Sequence, residues 1–287
     1  MKLTTFISNG TQHIGLVENG QVVDLNELDA SLPGSIHSAL EAGVDLVALA
    51  AKARQSDAKR LPLESLELVT LIPEPGKVVC LGLNYFDHAK EGGREKPDYP
   101  WFFYRGKSSL MGHGQPGIVP KVSDRFDYEA ELAVVIGRKV PRHVSQADAL
   151  KYVFGYTCFN DMSVRDYQKR TPQWTIGKNF DATGALGPVL VSADELPEGA
   201  KSLRIQARLN GAVMQDANTS DMIWSVAETI ALLSDCMTLE PGDVIAMGTP
   251  AGVGQARTPP VWMKAGDVIE IDISGIGVLR NTVVDES

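Results

Sequence analysis

The segment Asp127-Tyr128-Glu129-Ala130-Glu131-Leu132-Ala133-Val134-Val135-Ile136 combines two opposed tendencies in one strand. Its second half is too apolar to be wetted on both faces, so it belongs in an interior. Its first half sets Glu129 and Glu131 two residues apart, which in a strand means the same face, roughly 6–7 Å apart along the backbone. Two carboxylates side by side on an inner face repel each other, and desolvation penalises both. Two readings follow: the face bearing this pair lies in water, or a bound cation removes the conflict.

Neighbouring segments supply further groups. Asp161 ends the apolar strand Phe154–Asn160, where the chain hands over to Ser163-Val164-Arg165-Asp166-Tyr167-Gln168. It either caps a helix there, a role open to Ser163 as well, or adds a third carboxylate. Three oxygen donors without His or Cys select a hard ion, Mg²⁺ or Mn²⁺, over Zn²⁺. Such an ion on three protein ligands keeps positions open for water and substrate. A second group lies in Asn84–Glu91, after the apolar run Lys77–Leu83. On a short helix His88 and Glu91 stand at i and i+3, and a carboxylate there orients the imidazole and raises its basicity. A surface ion pair is the plainer reading of the same spacing. The Gly- and Pro-rich stretch 92–100 is expected to be a mobile cover.

Working outward, residues 1–25 alternate as three short strands separated by Asn9-Gly10 and Asn19-Gly20, a hairpin signal. Ser35–Arg54 has helical apolar spacing, and a second helix is expected through Ile223–Leu233. The charged stretch 54–67 marks a boundary between a small β-rich domain, 1–70, and a main body, 71–287. Strands interrupted irregularly by helices favour α+β over a regular β-α-β alternation.

The 287 residues are 44% hydrophobic and 22% charged, as expected of a globular protein with a sizeable core. A net charge of −9 without clustered Lys or Arg argues against nucleic-acid binding. No uninterrupted apolar run has signal-peptide or membrane-spanning length. Cys80, Cys158 and Cys236 are widely spaced, and reduced thiols in a cytoplasmic protein are expected.

Seven motifs in order resemble the fumarylacetoacetate hydrolase family. They are P-x-x-G-K-V-V-C-L-G-L-N-Y-x-x-H-x-x-E from Pro73, D-Y-E-A-E-L-A-V-V-I-G from Asp127 and F-N-D-M-S-V-R-D-Y-Q from Phe159. K-N-F-D-x-x-x-x-L-G-P follows from Lys178 and N-G-x-x-x-Q from Asn210. L-E-P-G-D-V-I-A-M-G-T-P-A-G-V-G starts at Leu239, and the last motif runs from Gly266 to Val283. The resemblance implies a mixed β-roll, usually homodimeric, with a small amino-terminal domain in longer members. It implies Glu129, Glu131 and Asp161 as ligands of Mg²⁺ or Mn²⁺, and His88 with Glu91 as a catalytic dyad. Lys178 would neutralise an enolate or a ligand carboxylate, and Gln215 and Thr249 would hold the substrate's carboxylate or carbonyl. Arg105 departs from a common Lys. Its planar fork suits a second acidic group on the substrate, or a structural pair with a neighbouring acid. The expected reaction is C–C hydrolysis of an acylpyruvate such as maleylpyruvate or fumarylpyruvate, releasing pyruvate. Oxaloacetate decarboxylation, and isomerisation or hydration of an unsaturated keto diacid, draw on the same enolate.

Overall fold

Tight turns organise the chain from its start. Asn9 and Gly10 have φ of 50° and 79°, and Asn19 and Gly20 have 50° and 74°. Paired positive φ values suit the right-handed twist of hairpin strands, and Asn and Gly tolerate them at least cost. The result is the meander Lys2–Ser8, Thr11–Glu18, Gln21–Asp24. The helical stretch that follows is not continuous. Gly43 at φ 67° ends Ile36–Glu41, and Asp45 caps a new helix, Leu46–Gln55, through Ala48 N–H at 2.9 Å.

The computed structural model describes residues 1–93, 95 and 97–287. Arg94 and Lys96, inside the expected mobile cover, lie outside the described residues. Mixed sheets with short helices give the expected α+β character. The larger sheet has Ala130–Ile136 near its middle, antiparallel to Val153–Asp161 on one side and to Val244–Ala246 on the other. A second sheet of five strands includes Arg204–Leu209, Val268–Ile273 and Gly277–Asp285.

The amino-terminal meander extends this same large sheet, because Lys2–Ser8 pairs with Gly184–Ser192 through Leu3 opposite Leu190. Its apolar residues also share a core with the main body. Leu3, Ile14 and Leu16 pack in one cluster with Cys80, Ala133, Val135 and Phe159. The composition change near residue 70 is therefore not a break in the hydrogen-bonded sheet. On the central strand, Leu132, Val134 and Ile136 enter the opposite cluster. Both faces are buried, as the continuous apolar run requires. Glu131 shares its face with Ala133 and Val135, so its carboxylate enters the interior rather than water.

Candidate active site

Register brings the carboxylates together. Ala130 pairs with Asn160 and Glu131 with Phe159. The ladder continues past the strand end through Asp161 N–H to Glu129 O at 3.0 Å. Glu129 and Asp161 thus face each other across the ladder, with Glu131 one pleat deeper. Their oxygens lie within 4.8 Å of one another, and all three residues are buried. Asp161 is not a helix cap: the next helix, Arg165–Gln168, is preceded by Val164 at its cap position. Of the two readings of the Glu-Ala-Glu pair, the wetted face is excluded.

Cations surround this cluster unevenly. Lys178 Nζ lies 2.6 Å from Glu129 Oε2 and 2.7 Å from Asp161 Oδ2, and is itself 1% exposed. Arg165 bridges Glu129 Oε1 at 2.6 Å and Asp127 Oδ2 at 2.7 Å. Burial by itself would raise Glu129, but Arg165 and Lys178 bring it down to about 2. Burial disfavours the Lys178 ammonium, yet Asp161 and Glu129 hold it above its ordinary value. Glu131 differs. It accepts from the Gly248 N–H at 2.8 Å, and burial, then Asp161 and Glu129, push its carboxyl well above the usual range. A buried carboxylate beside two others, without an ion-pair partner among the described residues, is the chemistry that a divalent ion satisfies. The all-oxygen donor set fits Mg²⁺ or Mn²⁺.

Gly248 can make that contact because its φ is 85°, and a Cβ there would stand 2.8 Å from Asn84 Cβ. Asn84 holds the turn by donating to Met247 O at 2.7 Å and accepting from Trp224 N–H at 2.8 Å.

The dyad sits on the helix Phe86–Glu91. His88 Nδ1 and Glu91 Oε1 are 2.7 Å apart, and Glu91 Oε2 accepts from the Gly252 N–H at 2.8 Å. With Nδ1 committed to Glu91, Nε2 is the ring nitrogen left for the cavity that His88 lines. That cavity, about 170 Å³, is also lined by Glu129, Glu131, Lys178, Thr249 and Trp174. Trp174 stacks on Trp101 at 5.1 Å between ring centroids, and a Cβ on Gly82 would meet its ring at 2.0 Å.

Two expected substrate-binding residues are placed differently. Arg105 is 3% exposed and spends its guanidinium inside the protein. It donates to Asp161 Oδ1 at 2.9 Å, to Met162 O at 2.9 Å, to Thr183 O at 2.7 Å and to Lys178 O. The substrate grip expected of it is corrected to the alternative, a structural pair with a neighbouring acid: it clamps Asp161 from behind. Gln215 is also enclosed. Its Nε2 donates to Thr249 Oγ1 at 2.8 Å and to Pro250 O at 2.7 Å, while Oε1 accepts from Ala130 N–H at 2.9 Å. These bonds use both of its N–H donors and one acceptor site, and make it a positioning residue for Thr249. Thr249 accepts that bond, which leaves its own O–H to donate toward the cavity.

The sequence reading assigned no role to Asp127 or Arg165. Asp127 accepts from Gly254 N–H at 2.7 Å and Gln255 N–H at 3.0 Å, besides Arg165, and so ties the 247–255 loop to the triad. The available signal was charge balance: an acid and a base flanking three buried acids.

The family description "Fumarylacetoacetate (FAA) hydrolase C-terminal" matches residues 77–284. The chain is 39% identical over 275 residues to "Oxaloacetate tautomerase Fahd2a, mitochondrial" of Rattus norvegicus, covering 95% of this chain and 87% of that one. Among solved structures, the fumarylacetoacetate hydrolase of Exiguobacterium antarcticum superposes with a TM-score of 0.86 at 35% identity, over all of both chains. Maleylpyruvate hydrolase of Sphingobium sp. SYK-6, in complex with manganese(II) and pyruvate, gives 0.82 at 30% identity, again over all of both chains.

Proposed function

The chain belongs to the fumarylacetoacetate hydrolase family, and from that premise we propose that it catalyses proton transfer next to the carbonyl of a short 2-keto acid, as an oxaloacetate tautomerase. A divalent ion held by Glu129, Glu131 and Asp161 would supply positive charge toward an α-keto carboxylate and lower the cost of removing a proton from the adjacent carbon. His88, oriented by Glu91, takes that proton at Nε2 and returns it. Lys178 holds Glu129 and Asp161 in place and keeps a fixed positive charge beside the oxygen where negative charge develops. The Thr249 hydroxyl donates to the substrate's carboxylate, and Trp174 helps exclude water.

The observation that carries the reading is His88, held by Glu91, which Gly252 fixes in turn, on the wall of the cavity that Glu129 and Glu131 also line. The likeness to the rat oxaloacetate tautomerase supports proton transfer over C–C cleavage. Hydrolysis of an acylpyruvate is the second reading, favoured by the maleylpyruvate hydrolase likeness and by a base equally able to activate water. The reading includes a homodimer in the cytoplasm. Cys80 and Cys158 are buried free thiols, and no helix among the described residues is long and apolar enough to cross a membrane.

The test follows the enol absorbance of oxaloacetate, maleylpyruvate and fumarylpyruvate with Mg²⁺ and after chelation, with pyruvate measured in parallel. Accelerated, Mg²⁺-dependent loss of oxaloacetate enol without pyruvate is expected. Pyruvate from maleylpyruvate or fumarylpyruvate, with oxaloacetate enol decaying at its spontaneous rate, would replace the tautomerase with the hydrolase. Pyruvate from oxaloacetate would make it a decarboxylase.

A further inference from the structure

Asp127, Tyr128 and Glu129 follow one another, and each serves the cavity in a different way. Glu129 joins the triad, and Asp127 holds the N–H groups of Gly254 and Gln255. Tyr128, between them, is fully buried. Its hydroxyl donates to Gly252 O at 3.0 Å and accepts from Arg257 Nε at 3.2 Å. Gly252 is the residue whose N–H holds Glu91. Both polar groups of this glycine are therefore engaged, one by the dyad and one by Tyr128.

Gly252 needs such fixing. Its φ of 103° lies in the region that favours glycine, and a glycine leaves the peptide units on either side free to turn. A Cβ there would stand 2.3 Å from Met214 O, so the backbone is pressed against that carbonyl. Arg257 donates to the same Met214 O as well as to Tyr128. Arg257, Met214, Gly252 and Tyr128 thus close a ring of contacts around the loop. The helix that carries the dyad has no side-chain cap at its start, Tyr85, so it leans on the bond between Glu91 and Gly252.

We propose that Tyr128, steadied by Arg257, is a positioning residue for the dyad: it sets Gly252, Gly252 sets the Glu91 carboxylate, and Glu91 sets the His88 imidazole. The bond from Arg257 polarises the Tyr128 hydroxyl and strengthens its donation to Gly252. With Glu91 Oε2 pinned, Oε1 faces His88 Nδ1 and favours the tautomer with its proton there, which keeps Nε2 as the base. Loss of the phenolic hydroxyl frees the Gly252 carbonyl, and the Glu91 carboxylate turns with it. The catalytic consequence rests on the keto-acid reading above; the tautomer does not.

The experiment uses the Mg²⁺-saturated protein and Tyr128→Phe, which keeps the buried ring and removes the hydroxyl. Imidazole ¹⁵N NMR, with the His88 signals identified by their loss in His88→Ala, reads the tautomer of the neutral ring. Wild type should show Nδ1–H alone, and Tyr128→Phe a mixture of the two tautomers. The same tautomer in both proteins, or a wild type without Nδ1–H, overturns the proposal whatever the kinetics. In turnover, kcat for C3 proton exchange of oxaloacetate should fall about tenfold in Tyr128→Phe, with KM changed less than about twofold. In a Glu91→Gln background the same substitution should lower kcat no further, because its route to His88 is already cut. An equal further loss there would make Tyr128 a general support of the fold and overturn the proposal. If the wild type exchanges no oxaloacetate, the keto-acid reading has failed, and the tautomer alone decides on Tyr128.

Discussion

The floor of the cavity and its rim are built by opposite means. Glu129, Glu131 and Asp161 are buried at the ends of two central strands, fixed by ladder register and by Lys178, Arg165 and Arg105. His88 and Glu91 ride on a six-residue helix near the surface, held by one bond to each other and one to Gly252. Helices this short have little stability of their own. On the proposed function, the groups that fix charge are preorganised by the fold, whereas the group proposed to move a proton sits where it can yield to an entering substrate.

The largest test of that contrast is Glu131→Gln. It should lower kcat by about 10⁴-fold or more while raising the thermal midpoint of the metal-free protein, because an uncompensated buried acid is removed. Turnover near wild type would break the assignment of the floor. His88→Ala should lower kcat by about 10²–10⁴-fold with stability changed by less than about 0.5 kcal/mol, read by steady-state kinetics and urea unfolding. A large stability loss there would mean that rim and floor form one cooperative unit. Arg105→Met leaves Asp161 with one cation fewer and should cost about 3–5 kcal/mol in urea unfolding. A selective rise in KM with stability kept would restore the substrate grip that its buried contacts argue against.

The smallest effect expected is on pH. Glu131 is raised in the metal-free fold, so its contribution to stability is full below the usual carboxylate range. That contribution is lost as pH rises through its elevated folded value. A cation must displace that proton. Metal affinity should therefore rise up to about tenfold per pH unit below the folded value, with proton release seen by calorimetry in buffers of different ionisation heat. Affinity independent of pH would show that Glu131 is already ionised without metal.

Much of this was legible because local patterns and tertiary demands agree. Asn-Gly pairs set the hairpins, and an apolar strand with acids at its head set the floor. Asp161 was ambiguous as a lone acid at a strand end; the strand pairing that puts it opposite Glu129 places it in the acid cluster and not at a helix cap, and no local pattern encodes that pairing. Arg105 misled because a guanidinium offers the same donors to a substrate as to an internal acid, and only its burial separates the two. Leu3 opposite Leu190 is a contact between distant segments that composition does not register. Gly248 and Gly252 read as loop glycines, although their N–H groups hold Glu131 and Glu91.

The most direct measurement is calorimetric titration of Mn²⁺ into metal-free wild type, His88→Ala and Glu131→Gln. The account predicts one site per chain of equal affinity in the wild type and His88→Ala, and affinity at least about 100-fold weaker in Glu131→Gln. Wild-type affinity in Glu131→Gln would contradict the claim that the buried carboxylates are the seat of the catalytic cation.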